Sequence, residues 1–180
     1  MMTFRNLKAD EIQCRVGTIN EKGLTLLLYK DSRADMDILD ETVGPENWAR
    51  DHKELKGNMY CGVGIYDEAK KQFVWKWDCG AESNTEAEKG EASDSFKRAC
   101  VNWGIGRELY TSPFIWISAD KYEVKKNAKG KPTTYEKFAV KKLTYIKDKD
   151  GKDTKIIDAL AIVNGKGNLV FVKMPSEGDK

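Results

Sequence analysis

The chain has 180 residues, of which 40% are hydrophobic and 33% charged, with five tryptophans, a composition that suits one well-buried domain, or a domain with an appendage, under a wet surface. No run approaches the roughly 20 apolar residues of a membrane span, the opening MMTFRNLKAD lacks a secretory apolar region, and the expected location is the cytoplasm. The net charge of +2 makes any polyanion site a local patch, and the wide scatter of Cys14, Cys61, Cys79 and Cys100, with His52 the one histidine, excludes the usual zinc spacings and favours buried free thiols.

Residues 11–17 and 24–29 flank the turn-prone Thr18-Ile19-Asn20-Glu21-Lys22-Gly23, which predicts a β-hairpin with LTLLLY as its second strand and with Arg15 and Tyr29 at its opposite ends. Residues 32–43 carry Met36, Leu39 and Val43 on one helical face and acids on the other, and Gly44-Pro45 ends the helix. Three short strands are expected over residues 48–55, 59–66 and 72–77, with turns at Gly57-Asn58 and Asp67-Glu68-Ala69-Lys70. In the middle strand Gly62 and Gly64 alternate with Cys61, Val63 and Ile65; either another backbone or a ligand approaches there, or the strand is strongly twisted or bulged.

Residues 82–110 read as an amphipathic helix. Thr85 with Glu88, or Ser83 with Glu86, offers a capping box, and Gly104 is the stop. Ala92, Phe96, Ala99, Cys100 and Trp103 recur every three or four residues as an apolar stripe. At about 100° per residue, Lys89, Ser93 and Lys97 line up beside that stripe, with Arg98 a further step round. Such a rigid basic edge suits phosphates; equally, Asp94 can pair with Lys97 or Arg98 on a solvated face.

TSPFIWI, residues 111–117, is an apolar connector or strand. Between residues 121 and 152 eleven lysines face only Glu123, Glu136, Asp148 and Asp150, an excess of seven positive charges, and KKNAKGKPTT at 125–134 reads as a mobile basic loop. Strands follow around residues 138–146, 155–163 and 170–172, then a tail at 175–180 expected to be disordered. The expected fold class is α+β: an antiparallel hairpin and meander, a long amphipathic helix laid across the sheet, and a C-terminal β appendage. The expected division is a core over 1–119, a basic loop and β appendage of the same domain over 120–174, and the tail.

Catalytic patterns are thin. There is no G-x-x-x-x-G-K-[ST], Gly104-Ile105-Gly106 sits at a helix end instead of its start, and no nucleophile motif lies near His52, so neither an enzyme nor a cofactor is expected. A Mg²⁺-dependent nuclease would have to combine Glu54-Leu55-Lys56 with Asp35, Asp37 or Asp40.

The ordered set CRVGTINEKGLTLLLYKDSRADMDILDETVGPENW, MYCGVGIYDEAKKQFVWKWDCGAES and EKGEASDSFKRACVNWGIGRELY resembles the phage Sak-type single-strand annealing proteins of the Rad52 superfamily over roughly residues 14–116. That resemblance implies a homo-oligomeric ring or partial ring, in a bacterial host, that holds single-stranded DNA without ATP and anneals complementary strands. A phage or host single-strand-binding protein or exonuclease is a further implied partner, and a membrane is not. It also implies that Arg15, Tyr29, Lys97 and Arg98 grip the strand, with a softer role for Lys89. Where relatives carry another basic residue one turn later this chain has Val101, which leaves that contact missing or supplied by Arg107. Arg15 could instead pair with Glu11 or Glu21, and Tyr29 could be core. A recombination nuclease and a passive single-strand coat are the alternative readings.

Overall fold

The computed structural model describes residues 2–80 and 87–176, with residues 87–89 described by backbone alone. It is an α+β fold, mostly antiparallel sheet with two α-helices, and divides into two compact units: Met1–Asn6 with Lys30–Arg107, and Leu7–Tyr29 with Glu108–Lys180.

The first unit holds α1 (Ser32–Val43), α2 (Ala87–Trp103) and a three-stranded sheet, in the order in which its strands occur, of the segments Trp48–Leu55, Asn58–Asp67 and Gln72–Cys79. Asp31 starts α1 by accepting the N–H groups of Arg33 and Ala34 at 2.8 and 3.2 Å, which satisfies two donors that a helix start leaves open. Gly44, at φ 85°, ends it. The buried face of α1 is Ala34, Asp35, Ile38 and Leu39 rather than the expected Met36, Leu39 and Val43, so one of the aspartates assigned to the acidic outer face lies inside.

The sheet turns Cys61, Val63 and Ile65 inward, where they share the unit's core with Phe96, Ala99 and Cys100 from α2. Backbone and side chain bonds tie helix to strands: Trp103 Nε1 donates to the Val63 carbonyl at 2.8 Å, Asn102 donates to the Trp77 carbonyl at 3.1 Å, and the Met59 N–H donates to Glu91 Oε1 at 2.7 Å. On the other sheet face Gly62 and Gly64 stand opposite Trp77 and Trp75. A Cβ at either glycine would meet an indole at 2.6 to 2.8 Å, so the glycines admit the chain's own tryptophans, and the pairing stays in register through both. Trp75 and Trp77 stack at 5.8 Å and Phe73 continues the row at 6.0 Å from Trp75.

The helix α2 ends as its sequence requires. Gly104 takes φ 102°, its N–H bonds the Val101 carbonyl at 2.9 Å, and the Ile105 N–H reaches the Cys100 carbonyl at 3.1 Å, while Ile105 itself is buried. That pair of bonds is a Schellman ending, in which only glycine takes the left-handed step without penalty. Both capping boxes proposed for the start of α2 lie outside the described residues.

The second unit is a six-stranded sheet. In chain order its strands are β1 (Ile12–Asn20), β2 (Gly23–Lys30), Ile115–Ser118, Phe138–Lys147, Asp153–Asn164 and Leu169–Lys173. Across the sheet the last three run in reverse before β1, β2 and Ile115–Ser118. The C-terminal strands therefore continue the sheet of the N-terminal hairpin, with Gln13 opposite Ala139. Their strand-like alternation was readable, but alternation carries no information on which edge a hairpin joins. Leu24, Leu26, Ile115, Ile117, Leu160 and Ile162 form the core. Glu108, fully buried, accepts the Leu7 N–H at 2.6 Å and has the Lys155 ammonium 3.4 Å away, and Tyr145 donates to the Leu7 carbonyl at 2.7 Å.

The segment expected as a mobile loop forms a small hairpin: Lys125–Lys126 pairs with Pro132–Thr133, and Asn127 Oδ1 accepts from Lys129 and Lys131. An asparagine and a glycine at φ 70°, Gly130, turn the chain. Of the tail, residues 177–180 lie outside the described residues. Among the described residues no helix is long and apolar enough to cross a membrane.

Candidate nucleic-acid interface

In the first unit the candidate cations lie along the edge of α2. Phe96, Ala99 and Cys100 face inward, so Lys97 and Arg98, one and two steps past Phe96, come to the margin; Lys97 is half-buried and Arg98 exposed. Arg98 Nε donates to Asp94 Oδ2 at 2.8 Å, an i,i+4 pair that leaves its side chain 48% exposed. The planar, forked guanidinium is the side-chain group whose geometry matches phosphate. Lys89 lies two turns earlier on the same helix; its side chain is outside the described residues.

Arg107, expected as the substitute for the cation missing at Val101, folds back on the helix end. Its Nε donates to the Val101 carbonyl at 2.8 Å and Nη2 to the Asn102 carbonyl at 3.0 Å, which places positive charge where the helix dipole is negative. Lys76 joins it, donating to the Asn102 carbonyl at 2.9 Å with its ammonium 4.4 Å from the Trp103 ring. The end of α2 is thereby clamped by two cations that sequence spacing does not connect.

Directly inside Lys97 lies a buried ion pair. Lys30, 4% exposed, donates to both oxygens of Asp35, itself fully buried, at 2.5 and 2.6 Å, and its third donor reaches the Lys97 carbonyl at 3.3 Å. Burial pushes the Asp35 carboxyl up to about 6, against the pull of Lys30 and of the Lys97 charge. The Cys100 thiol, which also contacts Asp35, is driven well above its ordinary range by burial. With Asp35 committed to Lys30, the carboxylate cluster imagined for a nuclease loses one of its members. The sequence carries only a faint signal for this pair, an Asp on the otherwise apolar stripe of α1.

In the second unit the two hairpin candidates come together. Antiparallel pairing folds the chain back at residues 21 and 22, so the two sequence ends of the hairpin are one spatial end. Arg15 is exposed; Tyr29 is half-buried and lines an open cavity of about 730 Å³ with Cys14, Val16 and Phe138. The lysine-rich stretch is partly neutralised, Lys147 by Asp153 at 2.6 Å and Lys125 by Glu123 at 3.5 Å, and Lys125 also sits 5.6 Å from the ring of Tyr135, which is 78% exposed.

Cations on a rigid helix margin, and a cation and an aromatic toward one end of a hairpin, are groups that can bind a phosphodiester backbone through charge and stacking, chemistry that does not distinguish one base from another. The chain belongs to the Rad52/22 family of double-strand break repair proteins, whose family model matches residues 4–129. It is similar to the single-stranded DNA-binding protein DdrA of Deinococcus radiodurans, at 34% identity over 97 residues. That match takes in 53% of this chain and 45% of the relative, so the chain corresponds to less than half of that protein's length. No solved structure matches.

Proposed function

We propose that this protein binds single-stranded DNA without reading its sequence and anneals complementary strands without ATP, as a step of recombination or repair in a bacterial cytoplasm. The observation that supports it most is the margin of α2, where Lys97 and Arg98 stand side by side on a helix packed against its sheet and clamped at its end, inside the stretch matched by the family model. Cations of this kind neutralise phosphates and release counterions, and they leave base edges free for a second strand. No bond is made or broken; the contribution is preorganisation of a backbone. Arg15 and Tyr29 supply a further charge and a ring for a sugar or base.

A monomer with so few contacts binds weakly. Assembly into a ring or partial ring repeats the same margin and converts weak contacts into avidity, so self-association is part of the proposal. A phage or host single-strand-binding protein or exonuclease would deliver the substrate. The test is annealing of two complementary fluorophore-labelled oligonucleotides in EDTA and without nucleotide. A pairing rate well above the spontaneous one is expected. Binding that slows pairing would replace this reading with a passive coat, and strand degradation on adding Mg²⁺ would replace it with a nuclease.

A further inference from the structure

The ion pair of Lys30 and Asp35 has no role in the reading above, and it is an expensive arrangement. Two charges taken from water cost several kcal/mol each to desolvate, and apolar residues of similar volume would often serve stability as well or better. The surroundings show that the site is built around this lysine. Gly106, at φ 74°, leaves room for the stem: a Cβ there would collide with Lys30 Cε at 2.2 Å. All three ammonium donors are taken, two by Asp35 and one by the Lys97 carbonyl.

Resting on the proposed role of Lys97, we infer that Lys30 is a positioning residue for strand binding: it acts as the internal counter-ion of Asp35, so that the neighbouring Lys97 ammonium stays available to a phosphate. Four groups act electrically on the Asp35 carboxylate: Lys30, bonded to it, and Lys97, Asp31 and the Cys100 thiol. Of these only Lys30 and Lys97 carry positive charge. With Lys30 bound to both oxygens, the charge of Asp35 is already balanced by a buried partner. Without Lys30, the buried carboxylate takes up a proton or, where the pH keeps it ionised, draws in the other cation that acts on it, Lys97, and a lysine drawn inward is lost to DNA. The bond from Lys30 to the Lys97 carbonyl adds a second restraint, holding that turn of α2 in place.

The experiment compares four full-length variants with the wild type, using a fixed-length oligonucleotide and a salt series at alkaline pH, which favours the ionised Asp35 carboxyl. K97A/R98A tests the proposed site itself; if it binds as wild type does, the strand-binding reading fails and the counter-ion idea is overturned with it. Given weakened binding there, K30M and K30Q, which leave Asp35 without its ammonium, are expected to lose roughly tenfold in affinity and to lower the salt slope by about 0.7 per protomer, the value of one single-strand phosphate contact. The decisive variant is K30M/D35L, which removes carboxylate and counter-ion together. It is expected to recover affinity within about twofold and the full slope, because Lys97 no longer has a buried partner. A K30Q protein that folds and keeps the wild-type slope overturns the inference. So does a folded K30M/D35L that stays as weak as K30Q, since a merely structural loss would not be repaired by removing the second charge. If K30M fails to fold, K30Q and the double variant carry the same comparison.

Discussion

Replacing Lys97 and Arg98 together by alanine is expected to weaken single-strand binding roughly 100-fold at low salt, taking about 1.5 kcal/mol for each charge-assisted contact. The loss should be the same for oligonucleotides of unrelated sequence, because phosphate contacts carry no base information. The slope of log affinity against log salt should fall by about 1.4, two single-strand phosphates' worth. Thermal stability should move little, since Arg98 is exposed and its i,i+4 pair with Asp94 is worth a few tenths of a kcal/mol. Filter binding at several salt concentrations reads all three quantities. A variant that binds as tightly as the parent, with an unchanged slope, removes this helix margin from the site.

The largest effect on stability is expected at Phe96. Its side chain is 1% exposed, its ring lies 6.1 Å from that of Trp48, and the Arg50 guanidinium sits 5.4 Å from its centre. It is the bulkiest group that α2 contributes to the core of the first unit. Truncation to alanine leaves a cavity walled by strand and helix side chains that cannot close, a loss of about 3–5 kcal/mol. For a chain of this size that corresponds to a fall in Tm of roughly 10 °C, measurable by circular dichroism. Because Phe96 anchors in the core the helix that carries Lys97 and Arg98, strand binding by F96A should weaken even below its melting point. A variant that melts with the parent would mean that α2 is held by its hydrogen bonds to the sheet and not by this ring.

How much of this was legible beforehand follows from the kind of signal each feature leaves. Local chemistry was readable: Gly44 ends α1, Gly104 stops α2, and the first turn of the three-stranded sheet falls one residue from the expected Gly57-Asn58, at Lys56-Gly57, with Asn58 already paired in the strand. Periodicity also put Lys97 and Arg98 at the margin of the stripe led by Phe96. What depends on a partner distant in sequence was not readable. The bond of Arg107 to the last carbonyls of α2 needs the chain to reverse after Gly104, and the placing of the last three strands beside β1 depends on an edge choice that no alternation encodes. Gly62 and Gly64 were noticed as unusual, yet the indoles that need them come from a neighbouring strand. Asp35 was misassigned to the outer face because an acid at a buried position is the less common outcome, and only the arrival of Lys30 makes it tenable.

The claim beneath all of this is that a narrow cationic margin suffices because assembly repeats it. Particle mass by multi-angle light scattering, measured with and without an oligonucleotide at working concentration, tests that most directly. A particle many times the mass of one chain, retained or enlarged when DNA is added and carrying it, is the predicted result. A species of single-chain mass in both samples, eluting apart from the oligonucleotide, would contradict it.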